Sequence, residues 1–305
     1  MLLSLQARIN GELGIQLHNG IQAATISFLV GFTGLGVLLM FSASMRKGFA
    51  RIPAQLRARQ LKRWHLLGGI GGALFVVAQV YAVPLLGVAL FTVVIVAAEV
   101  VSALIIDRIG IGPGGVRRPT LSRISGAGIA IIAVCVASLD RFDVVTASAF
   151  ALIAIVLTRF GTIVQSAINA RVAVAAGSAL TASFISFALG TAFLLVVLGG
   201  LALANVVEIN LTALPWWMYT GGFMGAIIVV LIALLVPRVG VLIFGLSTIA
   251  GQVFGALLVD LLAPSAGSQV TVVTFIGSIV AILAVLVALD PVSLRRQQRT
   301  PQASK

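Results

Sequence analysis

Residues 6–31, QARINGELGIQLHNGIQAATISFLVG, return 159 positions later as residues 165–190, QSAINARVAVAAGSALTASFISFALG. Gln6, Ile9, Asn10, Ser27, Phe28 and Gly31 match Gln165, Ile168, Asn169, Ser186, Phe187 and Gly190. A second block repeats at an offset of 153: Trp64, Gly68, Gly69, Gly72, Ala73, Pro84, Gly87, Phe91 and Asp107 match Trp217, Gly221, Gly222, Gly225, Ala226, Pro237, Gly240, Phe244 and Asp260. The difference in offset falls between Gly31 and Trp64, where a loop absorbs it. Internal duplication constrains the architecture before any single residue is interpreted. Because the repeated unit is hydrophobic throughout, the duplication reads as that of a membrane protein.

Composition agrees. Of 305 residues, 60% are hydrophobic and 9% charged, far from the soluble average. Apolar stretches long enough to cross ~30 Å of hydrocarbon lie at 20–41, 66–83, 86–106, 123–139, 147–169, 178–204, 217–236, 240–262 and 270–289. The helix that carries Gln6 and Asn10 brings the expected number of spans to ten. Barrel strands would alternate polar and apolar positions over ten-residue segments, and no such alternation occurs. The expectation is an all-α membrane protein of ten transmembrane helices.

The net charge of +12 would suit nucleic acid only if the charge were pooled on one surface. Instead Arg46, Lys47, Arg51, Arg57, Arg59, Lys62 and Arg63 lie between the second and third spans, and Arg108, Arg117, Arg118 and Arg123 between the fourth and fifth. Arg295, Arg296, Arg299 and Lys305 form the tail. With Arg171 and Arg238, 17 of the 20 basic residues fall in alternate loops of a ten-span chain, against only Arg141 in the others. Arg8 and Arg159 lie inside or beside spans. That asymmetry places both termini in the cytoplasm. The expected partners are therefore the lipid bilayer and a small-molecule substrate, with a homodimer open and nucleic acid set aside. Residues 46–63 are also basic enough to attract anionic headgroups. The lone Cys135 lies in an apolar span, so no disulfide can form within the chain.

Each unit carries five spans, and an odd number forces the two copies into opposite orientations. Residues 1–142 form the first five-helix repeat, 143–290 the second, inverted one, and 291–305 a basic tail. In the second copy about 18 residues from Ala147 precede Gln165, whereas five precede Gln6. The first helix thus reads as truncated; a start codon assigned too far downstream is the expectation, and a short helix tolerated by bilayer thinning the alternative. Gly68 with Gly72, Gly221 with Gly225 and Gly251 with Gly255 have the spacing of close helix packing. Pro84 and Pro237, each followed three residues later by glycine, are expected to mark short turns, a broken helix being the other reading. The run Gly110–Gly115 lacks the strand and the Lys-Ser/Thr ending of a phosphate loop and reads as a turn.

Function belongs where polar groups enter hydrocarbon at a cost. Glu99 lies near the middle of the fourth span and Arg159 near the middle of the sixth; unpaired, each costs ~2.5–3.5 kcal/mol at a helix centre. Glu99 suits a proton carrier or the counter-ion of Arg159, and Arg159 an anion-binding fork or the counter-ion of Glu99. The position matching Glu99 is Gln252, of similar shape but without a titratable proton. Gln6 and Asn10, like Gln165 and Asn169, are four apart and share one helix face, where a structural or gating role is expected. Gln79 and Tyr81 match Ile232 and Leu234, so polar symmetry breaks there and hints at an asymmetric pocket. Asp107 and Asp260 end spans and read as interfacial or capping, while Trp64, Trp216, Trp217 and Tyr219 read as interface anchors.

His18 and His65 fall at span edges without acidic or Cys partners at metal-ligand spacing, and neither paired intramembrane carboxylates nor a Gly-x-Ser-x-Gly elbow occurs. The reading is not an enzyme, with no cofactor and no metal. Nucleotide-binding motifs are also missing, which argues against a pump that carries its own ATPase.

With ten spans in two inverted halves, Gln-x-x-Ile-Asn at 6–10 and 165–169, Ser-Phe-x-x-Gly at 27–31 and 186–190, and Pro-x-x-Gly followed by Gly251-Gln252 and Asp260, the chain resembles the drug/metabolite transporter superfamily. It looks most like the YdcZ-like branch, related to EamA-type transporters. The resemblance spans essentially the whole chain. It implies a bacterial inner-membrane carrier that exports small metabolites or drugs by alternating access, driven by a proton or ion gradient. Two departures are the clipped first helix and Glu99 where Gln is expected, so proton coupling through Glu99 does not carry over. The competing class is a non-transporting scaffold or assembly subunit.

Overall fold

In the computed structural model, residues 1–109, 120–137, 139, 149–239, 241–264 and 270–288 are described. Arg117, Arg118, Arg141, Gly110–Gly115, the 142/143 boundary and the tail lie outside them, as do the side chains of Asp107, Arg123, Ile232, Leu234, Pro237, Arg238 and Phe244. Within them the chain is all helical, with ten helices and no strand: α1 (Leu2–Leu17), α2 (Gly20–Phe41), α3 (Ala43–Arg57), α4 (Gly69–Ile109), α5 (Leu121–Ala137), α6 (Ala149–Ala176), α7 (Ala179–Leu203), α8 (Thr220–Val239), α9 (Val241–Leu262) and α10 (Val272–Ala288). Four described stretches, Gly20–Phe41, Arg63–Ser102, Ala149–Ala176 and Ala179–Leu203, are long and apolar enough to cross a membrane.

Helix ends are set by the same chemistry at matching positions. Asn19 Oδ1 accepts from the Gln22 N–H at 3.0 Å and starts α2; Ser178 Oγ accepts from the Thr181 N–H at 3.3 Å and starts α7. The preceding helices stop at His18 (φ 51°) and Gly177 (φ 67°), both left-handed, so each hairpin turns within two residues. Gln22 then exchanges two hydrogen bonds with the backbone of Asn210, in the segment that follows α7 (2.7 and 3.0 Å). Thr181 donates to the Met45 carbonyl, just after α2, at 3.1 Å. The start of each helix therefore meets the chain beyond the end of the other, and α2 and α7 run antiparallel. They cross at Phe28 and Phe187, whose ring centroids lie 5.1 Å apart.

The middle of α4 forms the core. From Leu86 to Ala98 its residues are nearly all buried, against Ala7 of α1, Ile155 of α6, Val253 and Ala256 of α9, and Ala281 and Val285 of α10. Lipid tails are as apolar as these side chains, so dispersion in a close-packed interior, rather than escape from water, holds them. The α5–α10 pair follows the same rule: Ala130, Ala133, Ala137, Ala281 and Ala284 are buried, and Gly277 packs on Ala137.

After Pro84 the second of the two expected readings holds, a broken helix rather than a looped turn. The range Gly69–Ile109 is two helices joined at a sharp kink at Gly87 (φ 76°, ψ 163°), with Pro84 in the last turn of the first. A break exposes N–H groups that would have bonded one turn back. Val88 and Ala89 donate theirs to Asp260 Oδ1 and Oδ2 at 3.1 and 2.6 Å. Of the roles expected for it, Asp260 thus takes the capping one, but buried rather than solvated and for a distant helix segment. Residues 43–57, expected as loop, form the helix α3; its Met45, Gly48 and Ile52 are buried while its basic residues point outward.

Candidate functional site

Four sequence-predicted amides sit on glycines of the other repeat. Gln6 and Asn10 of α1 lie over Gly225 and Gly221 of α8; Gln165 and Asn169 of α6 lie over Gly72 in the first turn of α4 and Gly68 in the turn Arg63–Gly68 just before it. A Cβ added to Gly225 would stand 3.0 Å from Gln6 Nε2, one at Gly72 2.7 Å from Gln165 Oε1, and one at Gly68 2.9 Å from Asn169 Oδ1. At Gly221 it would collide with Asn10 Oδ1. Only a glycine lets the amide rest on the facing backbone, which is why amide and glycine spacings of four match. Between these contacts the backbones come closest. Gly69 abuts the Ser186 carbonyl and Gly222 the Ser27 carbonyl, while Gly31 faces the Phe187 ring and Gly190 the Phe28 ring.

The hydrogen bonds of the amides are less alike than their packing. Asn10 is fully buried and donates to Gln79 Oε1 at 3.1 Å. Gln165 donates to Ser186 Oγ at 2.9 Å. Among the described residues Asn10 Oδ1 and Gln165 Oε1 are buried without an N–H or O–H donor. Each lies against a glycine of the other repeat instead, Asn10 Oδ1 at Gly221 and Gln165 Oε1 at Gly72.

Arg159 and Glu99 do come together. Arg159 Nη2 donates to Glu99 Oε2 at 2.5 Å, and the guanidinium also lies 5.4 Å from the centre of the Phe75 ring. The side chains keep 18% and 34% of their exposure, so the pair is partly open rather than sealed. Beside it runs an apolar groove of 460 Å³ walled by α4, α5 and α6; Ala98, Val101, Val156, Leu157 and the exposed Cys135 line it. Gln252 is buried elsewhere, on α9 beside α1, where its carbonyl accepts from Ser4 Oγ at 2.7 Å.

Gln79 and Tyr81 part company. Gln79 is buried in the Asn10 contact, whereas Tyr81 is half exposed, covers Gly20 and lines a 760 Å³ cleft with His18, Asn19, Glu208 and Asn210. Trp64, Trp216 and Trp217 are exposed, as interface anchors would be. Sequence reasoning missed Ser4, Ser186 and Phe75 as partners. Ser186 carried a signal, since it belongs to the repeated Ser-Phe-x-x-Gly; Ser4 and Phe75 carried none.

The family model described as "Putative inner membrane exporter, YdcZ" matches residues 1–136 and 150–287, nearly the whole chain in two segments. Neither the comparison with curated proteins nor that with solved structures gives a match.

Proposed function

The chain belongs to the YdcZ family of inner membrane exporters, and from that premise we propose that it is a secondary carrier of the drug/metabolite type. It exports a small metabolite or drug by alternating access, on the energy of a proton or ion gradient. The arrangement we propose is ten transmembrane helices in two inverted five-helix repeats, 1–142 and 143–290, with both termini and the tail 291–305 cytoplasmic. The observation that carries this reading is the reciprocity of the contacts. The first helix of each copy is seated through Gln and Asn on paired glycines of the other copy, and the antiparallel α2 and α7 cross between them. Two such seats, at opposite sides of a crossing, are surfaces on which one half can rock against the other.

In this mechanism Gln6, Asn10, Gln165 and Asn169 are gating or structural groups, and Glu99, Arg159, Gln252, Gln79 and Tyr81 are candidates for substrate or proton binding. Glu99 and Arg159 belong to different copies, so their ion pair joins the halves and must adjust when they move. Breaking one partner of a buried pair costs ~3–5 kcal/mol; partial exposure brings the expectation here down to about 1–2 kcal/mol.

The test is transport by the full chain in sealed vesicles under an imposed proton or ion gradient, against a broad compound panel. Gradient-dependent movement of at least one compound is expected; none for any compound would favour the scaffold reading. Glu99→Gln and Arg159→Gln should each lower the melting temperature. Reversing both charges together should restore it if the pair is a strut. Wild-type proton dependence in Glu99→Gln would remove Glu99 from coupling.

A further inference from the structure

We infer that the pocket between the end of α3 and the end of α6 binds the phosphate headgroup of an anionic phospholipid. The pocket, 280 Å³, is lined by Gln55, Gln60, Arg171, Val174 and Ala175. Its surroundings in the chain are basic: Arg51 reaches the α6–α7 turn at Gly177, Arg57 ends α3, and Arg59 and Lys62 flank the lining residue Gln60. The acidic residues of the chain are Glu12, Glu99, Asp107, Asp140, Asp143, Glu208, Asp260 and Asp290. None lies in α2, α3, α6, α7 or the turn Arg63–Gly68, the elements that build and surround the pocket, although Glu99 on α4 pairs with Arg159 of α6 farther along that helix. The basic residues of α3 therefore share these described elements with no acidic residue.

Geometry selects a lipid as the source of the anion. Met45, Gly48 and Ile52 dock α3 on α6 and α7, Thr181 ties its first turn, and the helix lies where α2 ends. Phe49 on α3, Met40 and Phe41 at the end of α2, and Val174 on the pocket wall are exposed apolar side chains. A basic face with bulky apolar neighbours is the pattern of an interfacial helix, with headgroups over the charges and acyl chains over the apolar residues. A free phosphate would use only half of it. Gln55 and Gln60 add neutral donors that a phosphate oxygen accepts from, and Arg171 a planar fork.

Competition between phosphatidylglycerol and phosphatidylcholine tests this. The full chain, purified in mild detergent, is offered equal amounts of both lipids and the retained molecules are counted by native mass spectrometry. Wild type should retain phosphatidylglycerol preferentially. Each basic side chain near the headgroups contributes about fivefold, so Arg51→Gln with Arg171→Gln should cut the preference by roughly 25-fold. An unchanged preference in that variant, or none in wild type, overturns the inference. If the double variant fails to fold, Gln55→Glu with Gln60→Glu sets carboxylates on the pocket wall without touching a basic residue. It should abolish the preference, and its survival would equally overturn the inference.

Discussion

The corner at Asn10 and the corner at Asn169 are built from the same residues, yet among the described residues only the first is closed by a second amide. Both asparagines stand on a glycine of the opposite copy, and both have a glutamine one turn before them on a second glycine. At the first corner Asn10 is fully buried and reaches Gln79; at the second, Asn169 is only half buried. The position matching Gln79 is Ile232, which offers Asn169 no amide. Steric fit thus repeats while hydrogen bonding does not. The proposed rocking would need one set of contacts common to both states and another that differs between the sides, and the two corners differ in that way.

The shared part should break first and hardest. Gly69 and Gly222 press on backbone carbonyls of α7 and α2, and a methyl group at either would have to push two helices apart, because no side chain can give way. Overpacking of this kind costs about 3 kcal/mol or more, the upper end of its usual range. Gly69→Ala and Gly222→Ala are expected to fail to yield monodisperse protein on size exclusion, and to fail equally. If one were tolerated and the other not, the two crossings would not be equivalent supports.

The unshared part separates the corners. Asn10→Ala leaves Gln79 Oε1 buried without its donor, at about 1–3 kcal/mol. Asn169→Ala removes a half-buried amide and should cost below about 1 kcal/mol. Melting curves in detergent should show a clear drop for the first and little for the second. A double cycle with Gln79→Leu isolates the bond, since Asn10→Leu with Gln79→Leu should recover part of what either loses alone. Equal drops at Asn10 and Asn169 would mean that the glycine contact, not Gln79, sets the cost.

Much of this was readable before any coordinate, and for a physical reason. Two copies of one sequence must satisfy the same steric demands, so Gln-x-x-Ile-Asn and the glycine pairs stood out as matches even though nothing in the sequence said that they touch each other. The Glu99–Arg159 pair was readable as one of two alternatives, because each charge is too costly alone in a membrane. Asp260 was read less well. Its helix gives no sign that the carboxylate serves Gly87, 173 positions away, because a cap for a broken helix is a tertiary contact. The helix α3 was also missed: its charge density hides an apolar face of only three buried residues.

The smallest expected difference lies at the two hairpin turns, where the copies solved one backbone problem with different residues. Gly177 adopts φ 67° at no steric cost, but His18 holds φ 51°, where a side chain costs roughly 1–2 kcal/mol. Gly177→Ala should therefore lower stability by about 1 kcal/mol, its methyl group meeting only the movable end of Arg51. His18→Gly should leave stability unchanged or raise it slightly, since relief of strain offsets the greater freedom of the unfolded glycine. If His18→Gly instead destabilised the protein by more than Gly177→Ala, the imidazole would be holding the 760 Å³ cleft that it lines with Tyr81 and Glu208. The strain at His18 would then be the cost of a functional contact at that end, for which the other turn has no need.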